Sequence, residues 1–150
     1  MTKRPLRWWF VISSAIVLAS LGASIATAQS YYIDVGGSAL TGSNGTQWIA
    51  DSYYTGGQGL YTSSPIANTP DIQLYRGGRE GLYTDFNYIF PLSNGSYTVT
   101  LKFAEIQYNN VGNRVFNVVM NGATILQNFD IVAAAGAPLT ACLLYTSRCV

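Results

Sequence analysis

Residues 101–131, LKFAEIQYNNVGNRVFNVVMNGATILQNFDI, decide the fold of this chain because they join two strand patterns through a tight turn. Residues 114–120 carry an apolar residue at every second position, with valines on the second face as well, so both faces are expected to be partly covered. Asn121-Gly122 supplies two residues that tolerate positive φ, as a type I′ turn requires. Residues 123–126 then provide the returning strand. The stretch therefore predicts a β-hairpin.

The segment just before this hairpin, residues 97–103, is a further strand pattern. Apolar side chains alternate with threonines and a lysine, in the order Tyr97, Thr98, Val99, Thr100, Leu101, Lys102 and Phe103. A period of two places the apolar row on one face and the polar row on the other. We expect an antiparallel strand with one face buried in the core and the other face exposed to solvent.

From residue 29 onwards, the sequence favours short strands joined by turns. Three Asn-Gly pairs and three Gly-Gly pairs interrupt it, and no helix is predicted beyond one turn near residues 132–135. Residues 40–79 sustain no apolar period, and Pro65 and Pro70 oppose central strands. We predict that this region consists mostly of long loops over a sandwich.

The N-terminus is typical of a secretory leader. Lys3, Arg4 and Arg7 precede an apolar run over residues 8–25, and Ala26-Thr27-Ala28 matches a small-residue cleavage site. Residues 1–28 are therefore predicted to be removed on secretion. The alternative is an uncleaved membrane anchor, because the run approaches the length of about 17–20 residues that spans a bilayer.

Removing the leader changes the charge balance. The chain has eight basic and seven acidic residues, and three of the basic ones lie in residues 1–28, which leaves five against seven. No basic patch remains for nucleic acid, and no membrane insertion is expected after cleavage. The mature length suits one domain with a real core.

The absence of histidine excludes most hydrolytic mechanisms, since neither a Ser-His-Asp triad nor a His-based metal site can form. Glu80 and Glu105 are the one carboxylate pair that could serve a glycosidase. The simpler interpretation is that Glu105 bonds backbone or pairs with an arginine. Asp51 and Asp71 lack the ligand spacing of a calcium loop. We predict no enzyme activity, no cofactor and no metal.

Several segments of the sequence carry a resemblance to one family. They are YYIDVGG at 31–37, WIADSYYTGG at 48–57, LYRGGREG at 74–81, FAEI at 103–106, RVFNVVMNG at 114–122 and NFDI at 128–131. In this order they resemble the malectin family, secreted carbohydrate-binding domains, and most closely its bacterial-type members. The resemblance implies an all-β, jelly-roll β-sandwich of antiparallel strands with long ligand-side loops over residues 29–141.

The tail departs from that resemblance. Residues 142–150, CLLYTSRCV, do not alternate convincingly and contain both cysteines of the chain. We expect these residues to be foreign and the sandwich to be incomplete at its C-terminal end. The alternative is a short natural variant with a last strand through residues 143–146. A disulfide between Cys142 and Cys149 would close so short a loop that it would constrain little.

Sugar binding requires exposed aromatic rings for stacking and fixed polar groups for hydrogen bonds. In the malectin pattern the first loop aromatic corresponds to Tyr53 or Tyr54. The aromatic after the arginine corresponds to Glu80, following Arg79, and the aromatic pair after FAE corresponds to Gln107 and Tyr108. A late aspartate of that pattern lies beyond the resemblance. The predicted carbohydrate-binding residues are Tyr53, Tyr54, Arg79, Glu80, Glu105, Gln107 and Tyr108.

The leading hypothesis is a secreted, non-catalytic module that binds an oligo- or polysaccharide in a groove between Tyr54, Arg79, Glu105 and Tyr108. The glycan could contain glucose, and the module could be joined to catalytic or surface domains in a larger secreted, periplasmic or cell-surface protein. The alternative is a structural or protein-interaction domain with a degenerate sugar site, which the residues Glu80 and Gln107 favour. A third hypothesis is a fragment of a glycoside hydrolase.

Overall fold

The computed structural model describes residues 8–9, 14–20, 29–82, 84–93 and 95–149, with the backbone alone described for 8–9, 14–20 and 144–149. The described chain is built mainly from short strands, which confirms the all-β class. The strands are β1 Trp8–Trp9, β2 Ser14–Ser20, β3 Tyr31–Asp34, β4 Leu40–Thr41, β5 Gln47–Ala50, β6 Tyr54–Thr55, β7 Gln58–Tyr61, β8 Gly77–Glu80, β9 Asn87–Tyr88, β10 Tyr97–Phe103, β11 Phe116–Met120, β12 Ala123–Phe129 and β13 Cys142–Cys149. A 3₁₀ helix, Ile72–Tyr75, and an α-helix, α1 Ile131–Ala135, interrupt them.

The strands form two larger sheets and two short pairs. The six-stranded sheet has the order β13-β10-β2-β3-β5-β4, the three-stranded sheet has the order β1-β11-β12, and β6-β9 and β7-β8 pair separately. Adjacent named strands run antiparallel, except β3 and β5, which are parallel. The sandwich prediction is confirmed with that one parallel pairing added.

The main core lies where the two larger sheets meet. Ile33, Leu101 and Phe103 come from the six-stranded sheet and Val118 from the three-stranded sheet, and all four are fully buried in one cluster. Each such side chain contributes about 1.5–3 kcal/mol by leaving water. This shared core fixes the two sheets face to face.

The predicted hairpin forms between β11 and β12. Asn121 has φ of 50° and Gly122 has φ of 83°, as a two-residue type I′ turn requires. Met120 and Ala123 pair directly across it. The returning strand extends to Phe129, three residues beyond the prediction, because Phe116 pairs with it there.

The second face of β10 is not the wet surface that its threonines and lysine suggested. A second cluster covers it, and Lys102 lies with its Nζ 5.7 Å from the Trp48 ring centre and 5.5 Å from that of Tyr75. Burial lowers the pKa of Lys102. Lysine can take part in such a cover because its long stem is apolar.

Residues 40–79 contain β4 to β7, the 3₁₀ helix and the start of β8, so short elements interrupt the predicted long loops, although connecting segments still make up about half of the region. These elements have only two to four residues each, too few to show a period. Their glycines permit a close backbone approach, because a Cβ on Gly36 would lie 2.0 Å from the carbonyl oxygen of Gly78. The two Gly-Gly motifs therefore bring the chain segments around residues 36 and 78 together.

The two ends of the chain contribute backbone to the largest sheet. Ser14–Ser20, from the predicted leader, forms β2. The tail forms β13 beside β10 and includes residues 143–146, where the alternative interpretation placed a last strand. The boundaries at residues 28 and 141 stay predictions. Cys142 and Cys149 stand at opposite ends of β13, about 23 Å apart at the usual rise of a strand, so this conformation does not permit the disulfide.

Candidate functional site

The first cluster of charged side chains is centred on Arg79 of β8. Its Nη2 and Nε donate to Asp51 Oδ2 at 2.6 and 3.0 Å, and its Nη1 donates to the carbonyl oxygens of Gly56 and Gly57, each at 3.2 Å. The Arg79 and Asp51 side chains are each 8 % exposed. Arg79 therefore connects the segment of residues 51–57, which contains β6, to β8.

Two aromatic residues complete this first cluster. The Tyr88 hydroxyl donates to Asp51 Oδ1, and burial followed by the charge of Asp51 raises the pKa of Tyr88, so the donor stays protonated. Burial alone would lower the pKa of Arg79, but the hydrogen bond and charge of Asp51 outweigh it and the pKa is raised. The Arg79 Cζ lies 3.3 Å from the centre of the Tyr54 ring. Tyr54 is therefore held on a fixed guanidinium.

The second cluster is centred on Arg114. Its Nε donates to Glu105 at 2.6 Å, its Nη1 donates to Glu80 at 2.8 Å, and its Nη2 donates to Gln107 Oε1. Gln58 Nε2 donates to the other oxygen of Glu80 at 3.0 Å. Glu80 and Glu105 are 3 % and 2 % exposed. One guanidinium thus forms ion pairs with two buried carboxylates.

Glu105 also shapes the loop that follows β10. Its Oε1 accepts hydrogen bonds from the backbone N–H groups of Gln107 at 2.9 Å and Tyr108 at 3.1 Å. Farther along this loop the N–H of Gly112 donates to Asp130, whose other oxygen caps α1. The Tyr108 ring centre lies 4.9 Å from the Arg114 Cζ. The loop over residues 106–115 is therefore anchored at several points along its length.

Exposure separates the aromatic residues from the charged ones. Tyr54 is 43 % exposed and Tyr108 is 40 % exposed. The side chains of the acids and arginines that support them are at most 11 % exposed. Tyr53 is also 40 % exposed, but its ring packs at 5.2 Å from Tyr31 and 5.6 Å from Phe90. Its φ of 66° places it in the left-handed region, which costs a bulky residue about 1–3 kcal/mol and is found mainly at functional sites.

The family assignment follows from comparison with known proteins, because the family model of the malectin domain matches residues 29–145. This chain belongs to the malectin family. Malectin domains are carbohydrate-binding, non-catalytic domains.

Relatives of this malectin domain include much longer proteins. A probable LRR receptor-like serine/threonine-protein kinase of Arabidopsis thaliana is 32 % identical over 117 residues, which cover 69 % of this chain and 11 % of the kinase. Malectin-B of Xenopus laevis is 32 % identical over 71 residues, covering 47 % of this chain and 25 % of that protein. No solved structure matches the chain.

Within this malectin domain, the predicted site residues fall into the two arginine-centred clusters. Tyr54 and Arg79 belong to the first cluster, and Glu105 and Tyr108 belong to the second. Glu80, with Gln107, also belongs to the second. The clusters are linked through the backbone, because Arg79 and Glu80 are consecutive residues of β8. Tyr53 makes its ring contacts elsewhere, with Tyr31 and Phe90.

Three residues that hold these clusters together were missing from the predicted site. Asp51 was considered only as a calcium ligand, and Arg114 and Tyr88 were not among the predicted site residues. A signal for Arg114 existed, since buried carboxylates need a cationic partner and the mature sequence offers few cations. Its partner Glu80 lies 34 positions away, so no local pattern reveals the contact.

The arrangement does not favour a glycosidase. Glu80 and Glu105, the pair considered for catalysis, share Arg114 and are buried. The simpler interpretation of Glu105, an arginine pair with backbone hydrogen bonds, is confirmed. In the described part of the chain, no three acidic, histidine or cysteine residues are grouped to hold a metal ion. The described residues also contain no helix that is both long and apolar enough to cross a membrane.

Asp34, at the end of β3, gives the domain a predicted pH dependence. It is 3 % exposed, and its Oδ1 has no hydrogen-bond partner among the residues that the structure describes. Burial, with a further contribution from the charge of Asp51, raises the pKa of Asp34 from 3.8 to about 7. The folded state therefore binds this proton more tightly than the unfolded chain, and the free energy of unfolding should fall as the pH rises from 3.8 to about 7.

The measurement is urea unfolding at about pH 5 and about pH 8, with higher stability expected at the lower value. Because the chain contains no histidine, few other groups titrate in this window. Asp34→Asn is the matched variant and should remove most of the difference. Equal stability of the original protein at both pH values would contradict this prediction.

Proposed function

We propose that this chain is a secreted, non-catalytic carbohydrate-binding module that takes up a glycan beside Tyr54 and Tyr108. The observation that carries the proposal is the packing of two exposed tyrosine rings against two arginines, of which Arg79 is buried and Arg114 is mostly buried. A pyranose ring presents apolar C–H groups that stack on such rings, and its hydroxyls need polar neighbours. Gln107, exposed and held by Arg114, is the polar neighbour that stands beside Tyr108.

The buried charges support this proposal indirectly. Arg79 and Glu105 are too buried to offer much surface to a ligand, but Arg79 fixes the segment around β6 that carries Tyr54, and Glu105 fixes the loop that carries Tyr108. Fixing a binding loop before the ligand arrives reduces the ordering cost of binding. Of the two alternatives for the first loop aromatic, the contact with Arg79 favours Tyr54 over Tyr53.

The secreted location rests on the predicted leader, and attachment to further domains rests on the relatives. The chain spans 11 % of the receptor-like kinase and 25 % of Malectin-B. A module of a larger protein can act with weak affinity, because attachment raises its effective concentration at a multivalent glycan. A glucose-containing oligo- or polysaccharide is the first ligand class to test.

A second candidate function is a structural or protein-interaction domain whose sugar site has degenerated. Glu80, which replaces an aromatic of the family pattern, is buried between Gln58 and Arg114 and is not available to a ligand. A glycan array probed with the folded chain separates the two. Binding to a glucan or another glycan is expected, and no binding by protein of native circular dichroism would favour the second function.

Tyr108→Ala tests the proposed site once a glycan has been found. We expect the binding free energy to weaken by about 1–3 kcal/mol, since a stacking ring is lost at a hot spot. The measurement is titration calorimetry with the glycan identified on the array. Tyr61→Ala is the matched control, because Tyr61 is 70 % exposed and lies at the opposite end of the β7-β8 pair from Gln58 and Glu80. An unchanged affinity in Tyr108→Ala would reject this site.

A further inference from the structure

Strand β2 occupies a central position in the six-stranded sheet, although the sequence predicts that it leaves with the leader. Ser14–Ser20 pairs with β10 along its whole length, from Tyr97 opposite Ser20 to Phe103 opposite Ser14. On its other side it pairs with β3, from Ala15 opposite Asp34 to Leu18 opposite Tyr31. Cleavage after residue 28 would therefore remove a middle strand rather than an edge strand.

The two flanking strands also contribute side chains to one core. Ile33 of β3 and Val99 and Leu101 of β10 are fully buried in the same hydrophobic cluster. Both strands run antiparallel to β2, so they are parallel to each other, about two strand spacings or 10 Å apart. Direct pairing of β3 with β10 would shift one set of core side chains by about 5 Å.

Loss of β2 would thus leave a gap with two strand edges facing each other. Unpaired backbone N–H and C=O groups on such edges are strong sites for the addition of another strand. The segment SAIVLAS at Ser14–Ser20 suits the gap, since it has no charge and no proline and is mostly apolar. Its seven residues match the length of β10.

We propose that the gap between β3 and β10 is a strand-acceptor slot, and that its occupant is the segment Ser14–Ser20 of this chain. The segment fills the slot in cis while the leader is attached and binds it in trans after cleavage. The slot is separate from the proposed glycan site, whose tyrosines lie on β6 and on the loop over residues 106–115. Removal of the leader is then a structural event in the folding of the domain.

The test uses the full chain with a protease site inserted between Ala28 and Gln29. After cleavage, we expect the fragment of residues 1–28 to remain bound on size-exclusion chromatography. A labelled SAIVLAS peptide should displace it. If the fragment separates and residues 29–150 stay folded, addition of the peptide should slow amide hydrogen exchange in β3 and β10 by at least about tenfold. If residues 29–150 unfold, the peptide should restore their native circular dichroism.

The matched control is the same peptide carrying Ile16→Pro and Leu18→Pro, which lacks the N–H groups needed for pairing and should not bind. Amides of β12, in the other sheet, report on general stabilisation and should change less than those of β10. The proposal is overturned if the cleaved protein stays folded and SAIVLAS does not change its amide hydrogen exchange. It is also overturned if the peptide does not refold an unfolded cleaved protein, or if the proline-containing peptide has the same effect as SAIVLAS. A dimer with protected β3 and β10 would identify a second copy as the occupant instead.

Discussion

Arg114→Met is expected to lower the free energy of unfolding by about 3–5 kcal/mol, the usual effect of removing one partner from a buried ion pair. Two carboxylates lose their cation at once, since Arg114 lies 2.8 Å from Glu80 and 2.6 Å from Glu105. The side chains of these two acids are only 4 % and 2 % exposed, so water cannot replace the guanidinium. Methionine keeps much of the length and apolar volume of arginine, which isolates the loss of charge.

Urea denaturation followed by tryptophan fluorescence measures this change, because Trp48 is buried and reports on unfolding. Arg76→Met is the matched control, since Arg76 donates to the backbone carbonyls of Ser63 and Ser64 and should cost about 1–3 kcal/mol for two hydrogen bonds. Adding Glu80→Gln and Glu105→Gln to Arg114→Met should recover part of the stability. A loss below that of the Arg76 control would show that Arg114 is not the centre of the cluster.

Asp51→Ala should destabilise the domain by a similar amount, about 3–5 kcal/mol. The substitution leaves the Arg79 guanidinium buried without its carboxylate and removes the acceptor of the Tyr88 hydroxyl. A second effect is specific to this position. The charge of Asp51 contributes to the raised pKa of Asp34, so the loss of stability between about pH 5 and about pH 8 should become smaller in Asp51→Ala.

The two effects are measured together by urea unfolding at both pH values. Asp85→Ala is the control, because Asp85 is an exposed aspartate and its replacement should change stability by no more than about 0.5 kcal/mol. If the Asp51→Ala protein were as stable as this control, Asp51 would not stabilise the first cluster. In the glycan-binding assay, Asp51→Ala should also weaken binding, since Arg79 would no longer hold Tyr54 in place.

Local patterns predicted the elements whose physical cause is local. The alternation in residues 97–103 became β10, with its four apolar residues buried. Asn121-Gly122 became the β11-β12 turn because both residues accept positive φ. The pattern was less informative for the second face of β10, where Thr98, Thr100 and Lys102 are partly buried and Lys102 lies near the rings of Trp48 and Tyr75.

The sequence alone determined the all-β class, the central hairpin, the malectin resemblance and the set of tyrosines and acids from which a site could be built. Those features depend on residue type and on spacing within a few positions. Only the tertiary structure decided that Glu80 and Glu105 share Arg114, that Asp51 joins Arg79 to Tyr88, and that Ser14–Ser20 lies between β3 and β10. These contacts join residues that are far apart in the chain, and which acid meets which arginine depends on how the core packs the strands.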